Sequence, residues 1–327
     1  MHEIVLAGTP FSTQVNFLSP LINGIANGAA YGLLGLGLVL LYKSNRIFNF
    51  AQGEFATVGA IVTYVFFEGT GFLPRMPGPD WLRYVLAALL GLVGSVGIAL
   101  LTERLVIRPM FERAKVILVV GTVGVALLLI GVEGLLPYPK SQGLPTISDV
   151  LHTQPFITRI DHIPLLDQDV AKLVMLVALA VAAFLFFRYT PTGTAILAVS
   201  QDATAARVVG ISVERISLIS WGIAGLLGGI AGILLAVPPQ GTVTPGAFTG
   251  TTLTVAFAAA VLGGMTSLPG AFVGGLSLGL IEAFAQADSS FVPGLKAVHN
   301  GQAELAVFAV LLVVLLFRPQ GMLGRET

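Results

Sequence analysis

Leu173–Phe187 reads LVMLVALAVAAFLFF, and Leu305–Phe317 reads LAVFAVLLVVLLF. Neither run contains a polar side chain, so every face of the element it forms is apolar and none suits water. In hydrocarbon each backbone N–H and C=O needs a partner within the protein, which leaves helices or a closed barrel. A barrel strand alternates apolar and polar residues. These runs do not alternate, so they are helices. Comparable runs recur along the chain and give nine candidate spans, at about 18–42, 47–67, 84–107, 116–136, 170–188, 216–237, 251–266, 269–287 and 303–317.

Composition agrees. Of 327 residues, 55% are hydrophobic and 10% charged, against about 25% charged in a soluble domain. The mean hydropathy of +0.90 leaves too little polar surface to coat a water-soluble globule. The expected fold is therefore all-α, a polytopic membrane bundle of 8–9 transmembrane spans, some broken or short, forming one domain over 1–327. The 39 glycines suit close helix approach in a bilayer. The absence of cysteine excludes disulfides and thiolate metal sites. His2, His152, His162 and His299 are scattered without metal-ligand spacing, so no metal is expected. Zero formal net charge gives no reason to expect nucleic acid. Residues 1–17 lack a basic n-region, which argues against a cleaved signal peptide.

Loop charge sets the expected orientation. With nine spans and the N-terminus outside, eleven basic residues fall on the cytoplasmic side, among them Lys43, Arg46, Arg188 and Arg207. Six fall outside. The C-terminus is then cytoplasmic, 137–169 is an extracytoplasmic loop, and about 190–215 is a cytoplasmic segment.

Four clusters could carry chemistry. Gly24, Gly28 and Gly32 recur every four residues, the small-xxx-small pattern of close packing, with Asn23, Asn27 and Tyr31 beside them. This is either a packing seam or a polar stripe along a transport path. In Asn49-Phe50-Ala51-Gln52-Gly53-Glu54, Asn49, Gln52 and Gly53 share one helix face. Glu54 is an intramembrane carboxylate, costly and hence a site candidate; Arg46 or a polar group on a neighbouring helix is its expected partner. Pro191-Thr192-Gly193 closes a span, and the Ala-rich stretch to Val209 reads as a short helix stopped by Gly210. Asp202, Ala205, Ala206 and Arg207 lie on it, suited to a partner's groove or to a solvated linker. Finally, Gly263, Gly264, Pro269 and Gly270 interrupt an apolar run. This is a tight turn between spans or a broken helix lining a cavity. Glu282 follows as a further carboxylate with an expected structural role.

No G-x-x-x-x-G-K-[ST] occurs, so P-loop ATP hydrolysis is not expected. Neither H-E-x-x-H nor a Ser/His/Asp set points to an enzyme.

At these motifs the sequence resembles the permeases of high-affinity branched-chain amino acid ABC transporters, and is most similar to the first of their two permeases. The resemblance runs from about residue 15 to 324. It is most specific at Gly24–Leu34 and at Asn49-Phe50-Ala51-Gln52-Gly53-Glu54, where the family more often has His at the position of Gln52. The segment 193–211, the 263–275 glycines and Arg318-Pro319-Gln320-Gly321 also match. The resemblance implies a bacterial or archaeal cytoplasmic-membrane location and no cofactor on this chain, ATP being used by partner subunits. The implied partners are a second permease, two cytoplasmic ATPases contacted by 193–211, and an extracytoplasmic binding protein. A urea or short-amide permease shares most of these motifs; an autonomous channel or carrier is the rival from another class.

Overall fold

A computed structural model of the chain describes residues 18–70, 75–136, 138, 142–152, 158–160, 163–165, 167–237, 241–287, 302–318 and 320–324. The helices are α1 (Leu18–Asn45), α2 (Gln52–Glu68), α3 (Asp80–Thr102), α4 (Lys115–Leu135), α5 (Ile147–Leu151), α6 (Asp167–Tyr189), α7 (Pro191–Gln201), α8 (Ala203–Val208), α9 (Val213–Leu235), α10 (Thr251–Gly263), α11 (Leu268–Ala287) and α12 (Gln302–Phe317). Among the described residues the strands are confined to a small antiparallel hairpin. It pairs β1 (Thr158–Ile160) with β2 (Ile163–Leu165), Ile160 opposite Ile163.

Each of the nine apolar stretches coincides with a helix, and among the described residues five helices are both long and apolar enough to cross a membrane: α1, α3 with its continuation to Met110, α4, α9 and α11. Two of the others are short. α2 has 17 residues and α10 has 13, about 25 and 20 Å at the helical rise, against about 30 Å of hydrocarbon. α6 ends at Tyr189, just before Thr190-Pro191, and Pro191 also opens the next helix. It sits at the first position of α7, where its missing N–H costs nothing, and Thr190 caps that helix through Gly193 N at 3.0 Å. The chain bends by 76° there.

The bundle is built around α1, whose apolar window is 89% buried, whereas those of α3 and α4 are 28% buried. Val93, Val116, Val120, Leu127, Leu312 and Leu316 lie on the outside, each more than 60% exposed. A soluble protein does not present such a belt; a bilayer solvates it. Since lipid is as apolar as leucine, close packing and hydrogen bonds hold the helices together. The Gly24/Gly28/Gly32 stripe meets the antiparallel α11. A Cβ at Gly28 would stand 2.8 Å from Gly275 O and 2.9 Å from Leu276 Cα, so only a hydrogen allows this approach. A second seam joins α2, α3 and α9. A Cβ at Gly59 would stand 2.7 Å from Gly229 Cα, and one at Gly225 would stand 2.6 Å from the Ala99 Cβ. Ser95 Oγ lies 2.7 Å from Phe55 O and 2.6 Å from Gly225 O, clipping α3 to both neighbours.

Candidate functional site

α1 ends at Asn45, and the chain then turns back into the bundle before α2 begins. Arg46 makes that turn with φ of 57°, a left-handed conformation a side-chain-bearing residue adopts at a cost. Beyond it Asn49, Ala51, Gln52 and Glu54 are fully buried, so α2 starts inside the protein. Asn49 secures this start twice. Its Oδ1 accepts from Ala51 N at 3.0 Å, and its Nδ2 donates to Gln52 Oε1 at 3.2 Å. Gln52 Nε2 donates to Ala224 O of α9 at 2.9 Å, and Gly37 of α1 lies so close that a Cβ there would stand 2.6 Å from that nitrogen. The shared face expected of Asn49 and Gln52 is present, and it is turned inward.

Glu54 pairs with neither Arg46 nor any other cation among the described residues. Arg46 instead donates to Ser200 O of α7 at 3.0 Å. Glu54 Oε1 accepts from Thr249 Oγ1, just before α10, and its carboxyl approaches that of Glu133 on α4 around Gly246, where an added Cβ would stand 3.8 Å from Glu54 Oε1. Glu133, 3% exposed, accepts from Gly246 N at 3.0 Å. The first turns of α2 and α10 meet here: a Cβ at Gly53 would stand 2.7 Å from Thr249 Cα. Two helix N-termini, each with a partial positive charge and unsatisfied N–H groups, therefore converge beside two buried carboxyls.

Asn23 and Asn27 are half-buried on α1. Tyr31 is buried among Val255, Ala258, Leu262, Leu278 and Val307 of α10, α11 and α12. Tyr31 and Gly37 thus serve different faces of α1.

The 263–270 interruption is a tight turn between α10 and α11. Gly264 (φ of 99°) accepts the reversal without strain. The C-terminal residues lock it: Met322 N donates to Leu262 O at 2.7 Å and Leu323 N to Gly263 O at 3.1 Å. Gly263 crosses Gly270 so closely that neither could carry a side chain, and Pro269 is exposed at the cleft beside α1. Lys43 Nζ of α1 donates to Thr266 O here at 2.9 Å. The end of α1 therefore grips two segments, α7 through Arg46 and this turn through Lys43. Between them opens a cleft of about 1180 Å³, with Lys43, Arg46, Arg188, Phe187 and Phe272 in its walls.

The Ala-rich helix is split. Asp202 breaks out of helical geometry and caps α8, accepting from Thr204 N at 2.7 Å and Ala205 N at 3.0 Å. Gly210 (φ of 87°) ends it as the sequence indicates. Ala206 is buried, Ala205 and Arg207 are exposed, and Val208 and Val209 are 84% and 75% exposed. Arg207 pairs with Glu214 at 3.6 Å across the loop into α9.

Sequence reading missed Glu133, Thr249 and the Val208/Val209 tip. Glu133 was legible as an ionisable residue inside the fourth apolar run. Thr249 had no signal, since its partnership depends on where α2 and α10 begin in space.

Residues 21–317 match the family described as branched-chain amino acid transport system / permease component. The chain is 30% identical over 319 residues to the high-affinity branched-chain amino acid transport system permease protein LivH of Escherichia coli K12, covering 94% of this chain and 96% of that protein. It is 28% identical over 315 residues to the corresponding permease BraD of Pseudomonas aeruginosa, covering 95% and 96%. It is also 28% identical over 297 residues to the probable branched-chain amino acid transport permease LivH of Methanocaldococcus jannaschii, covering 89% and 88%. With a bundle of apolar helices and a match spanning nearly its whole length, this chain belongs to the family of permease components of branched-chain amino acid transport systems.

Proposed function

We propose that this chain forms the translocation path of an ATP-driven importer for branched-chain or related amino acids, delivered by an extracytoplasmic binding protein. The observation that carries the proposal is the family match over residues 21–317. Two features of the fold support it. Helices that begin at depth, with polar and ionisable groups around the break, are how membrane proteins place a passing solute near the bilayer midplane. The exposed apolar tip Val208/Val209, held out on capped α8, suits the surface of a cytoplasmic ATPase. Asp202, Ala205, Ala206, Arg207 and Gly210 then form the coupling element, and a second permease completes the assembly.

The proposed route of force follows from the contacts. ATPase closure displaces α7 and α8. Arg46 carries the movement to the α1–α2 turn and Lys43 carries it to the 263–270 turn, so the polar start of α2 and the cleft beside α1 change together. Asn49 and Gln52 brace that start, and Asn23, Asn27 and Tyr31 contribute on the α10–α12 side. In this arrangement nine segments enter the bilayer. The leads 46–51 and 241–250 complete the crossings of α2 and α10, and the N-terminus lies outside with the C-terminus cytoplasmic.

The test is uptake by the assembled importer of labelled leucine, urea and a short amide. Leucine accumulation is expected; preferential accumulation of urea or the amide would assign the chain to that branch instead.

A further inference from the structure

The contact of Glu54 with Glu133 leaves a specific imbalance. Both carboxyls are buried, at 0% and 3% exposure. Each has one oxygen with a donor: Thr249 Oγ1 for Glu54 and Gly246 N for Glu133. The other oxygens, Glu54 Oε2 and Glu133 Oε1, have none. Two carboxylates this close in a low-dielectric interior repel strongly, so one of them holds a proton. The pair then keeps one negative charge. No Lys, Arg or His among the described residues pairs with it, and burying an uncompensated charge is expensive.

A third group belongs to the same place. Tyr138, just past α4, is 7% exposed, and its hydroxyl has no partner. That hydroxyl is pushed up to about 12, first by burial and then by the charges of Glu133 and Glu54. It therefore sits within electrostatic reach of both carboxyls and stays protonated at any physiological pH. Its ring rests against Tyr64, whose hydroxyl is held by Gln142 Oε1 at 2.9 Å. A Cβ at Gly246 (φ of 68°) would stand 3.8 Å from Glu54 Oε1. Three buried polar atoms thus lack partners around one net negative charge.

We propose that Glu54, Glu133 and Tyr138 form a binding site for a primary ammonium group, the cationic end of a zwitterionic amino acid on its way through the permease. An ammonium brings one positive charge and three N–H donors. It neutralises the pair and supplies donors to the two empty carboxylate oxygens and to the Tyr138 oxygen. The converging N-termini of α2 and α10 lie beside it and favour the substrate's carboxylate at the other end. This rests on the amino acid reading given above. It adds that the chain recognises the ammonium itself and does not leave all selectivity to a binding protein.

The test uses the full importer complex in lipid nanodiscs without its binding protein. The probes are 3-methylbutylamine, which is leucine without its carboxylate, and 4-methylpentanoate, which is leucine without its ammonium. Infrared difference spectra read the C=O band of the protonated carboxyl, and calorimetry reads affinity. The amine is expected to perturb that band and to bind at least tenfold more tightly than the acid. Glu133→Gln and Glu54→Gln are each expected to remove the band change and weaken the amine tenfold or more, and Tyr138→Phe to weaken it severalfold. A band that responds to pH but not to the amine overturns the proposal and leaves a proton site. Equal binding of amine and acid overturns it as well. If a Gln variant fails to assemble, the wild-type contrast between the two probes decides. Amine binding by a complex that takes up no leucine would retain this site and reject the transport reading; leucine uptake with no amine response would do the reverse.

Discussion

Alanine at Gly28 puts a methyl carbon 2.8 Å from Gly275 O, 2.9 Å from Leu276 Cα and 3.1 Å from Leu276 O. All three are backbone atoms of α11, so no rotamer change relieves the contact. Restoring ordinary carbon–oxygen separation moves α1 and α11 apart by about 0.6 Å or more, enough to forfeit a quarter or more of the dispersion energy along the gap. Overpacking of this kind costs about 1–3 kcal/mol. The better helix propensity of alanine returns about 0.5–1 kcal/mol, so a net loss of about 1–2 kcal/mol is expected. At Gly97 of α3 and Gly124 of α4 an added methyl would meet nothing within 4 Å, so alanine there is neutral or slightly stabilising. The assay is the apparent melting temperature of the purified chain in one detergent, read by the loss of monodisperse protein after heating. Gly28→Ala should melt a few degrees lower, and Gly97→Ala and Gly124→Ala should not. A Gly28→Ala protein that melts with wild type but transports poorly would refute the seam and make the stripe a path lining.

Four further variants probe separate links. Ser95→Ala removes the hydroxyl shared between Phe55 O and Gly225 O and should cost about 0.6–1.7 kcal/mol, measured in the same melting assay. Arg46→Gly accepts the φ of 57° without strain but loses the Ser200 contact. It should melt no lower than wild type while ATP hydrolysis by the assembled importer continues with reduced uptake. Asp202→Ala removes the cap on α8, worth about 1 kcal/mol locally, and should speed amide hydrogen exchange over 203–208 without altering exchange in α1. Val208→Asp with Val209→Asp places charge on the exposed tip; it should abolish retention of the ATPase on immobilised permease and leave the chain's melting temperature unchanged.

Much of the fold was legible because the bilayer imposes one rule on backbone polar groups. Runs such as Leu305–Phe317 have no alternative to helix, and all nine apolar stretches became helices. The Gly24/Gly28/Gly32 spacing identified a seam, although not that α11 supplies its other half through Gly275 and Gly279. Periodicity could not show that α2 begins inside the bundle. The residues before it, Ile47 and Phe48, are as apolar as a helix start, and the break depends on Arg46 turning left-handed. The Thr190–Pro191 break was visible and does end α6; that Pro191 also opens α7 was not read, although proline is favoured at the first position of a helix. At the site, Glu54 stood out by its cost in hydrocarbon. Its partners Glu133 and Thr249 lie 79 and 195 residues away, and nothing local in either stretch announces the meeting.

Energy coupling is the claim on which the rest depends, and substrate flux into sealed proteoliposomes tests it most directly. Labelled leucine uptake should require this chain together with its second permease, the ATPases, the loaded binding protein and ATP, and should cease when any one is left out. Leucine entry through this chain alone, driven by its own gradient and indifferent to nucleotide, would contradict the account.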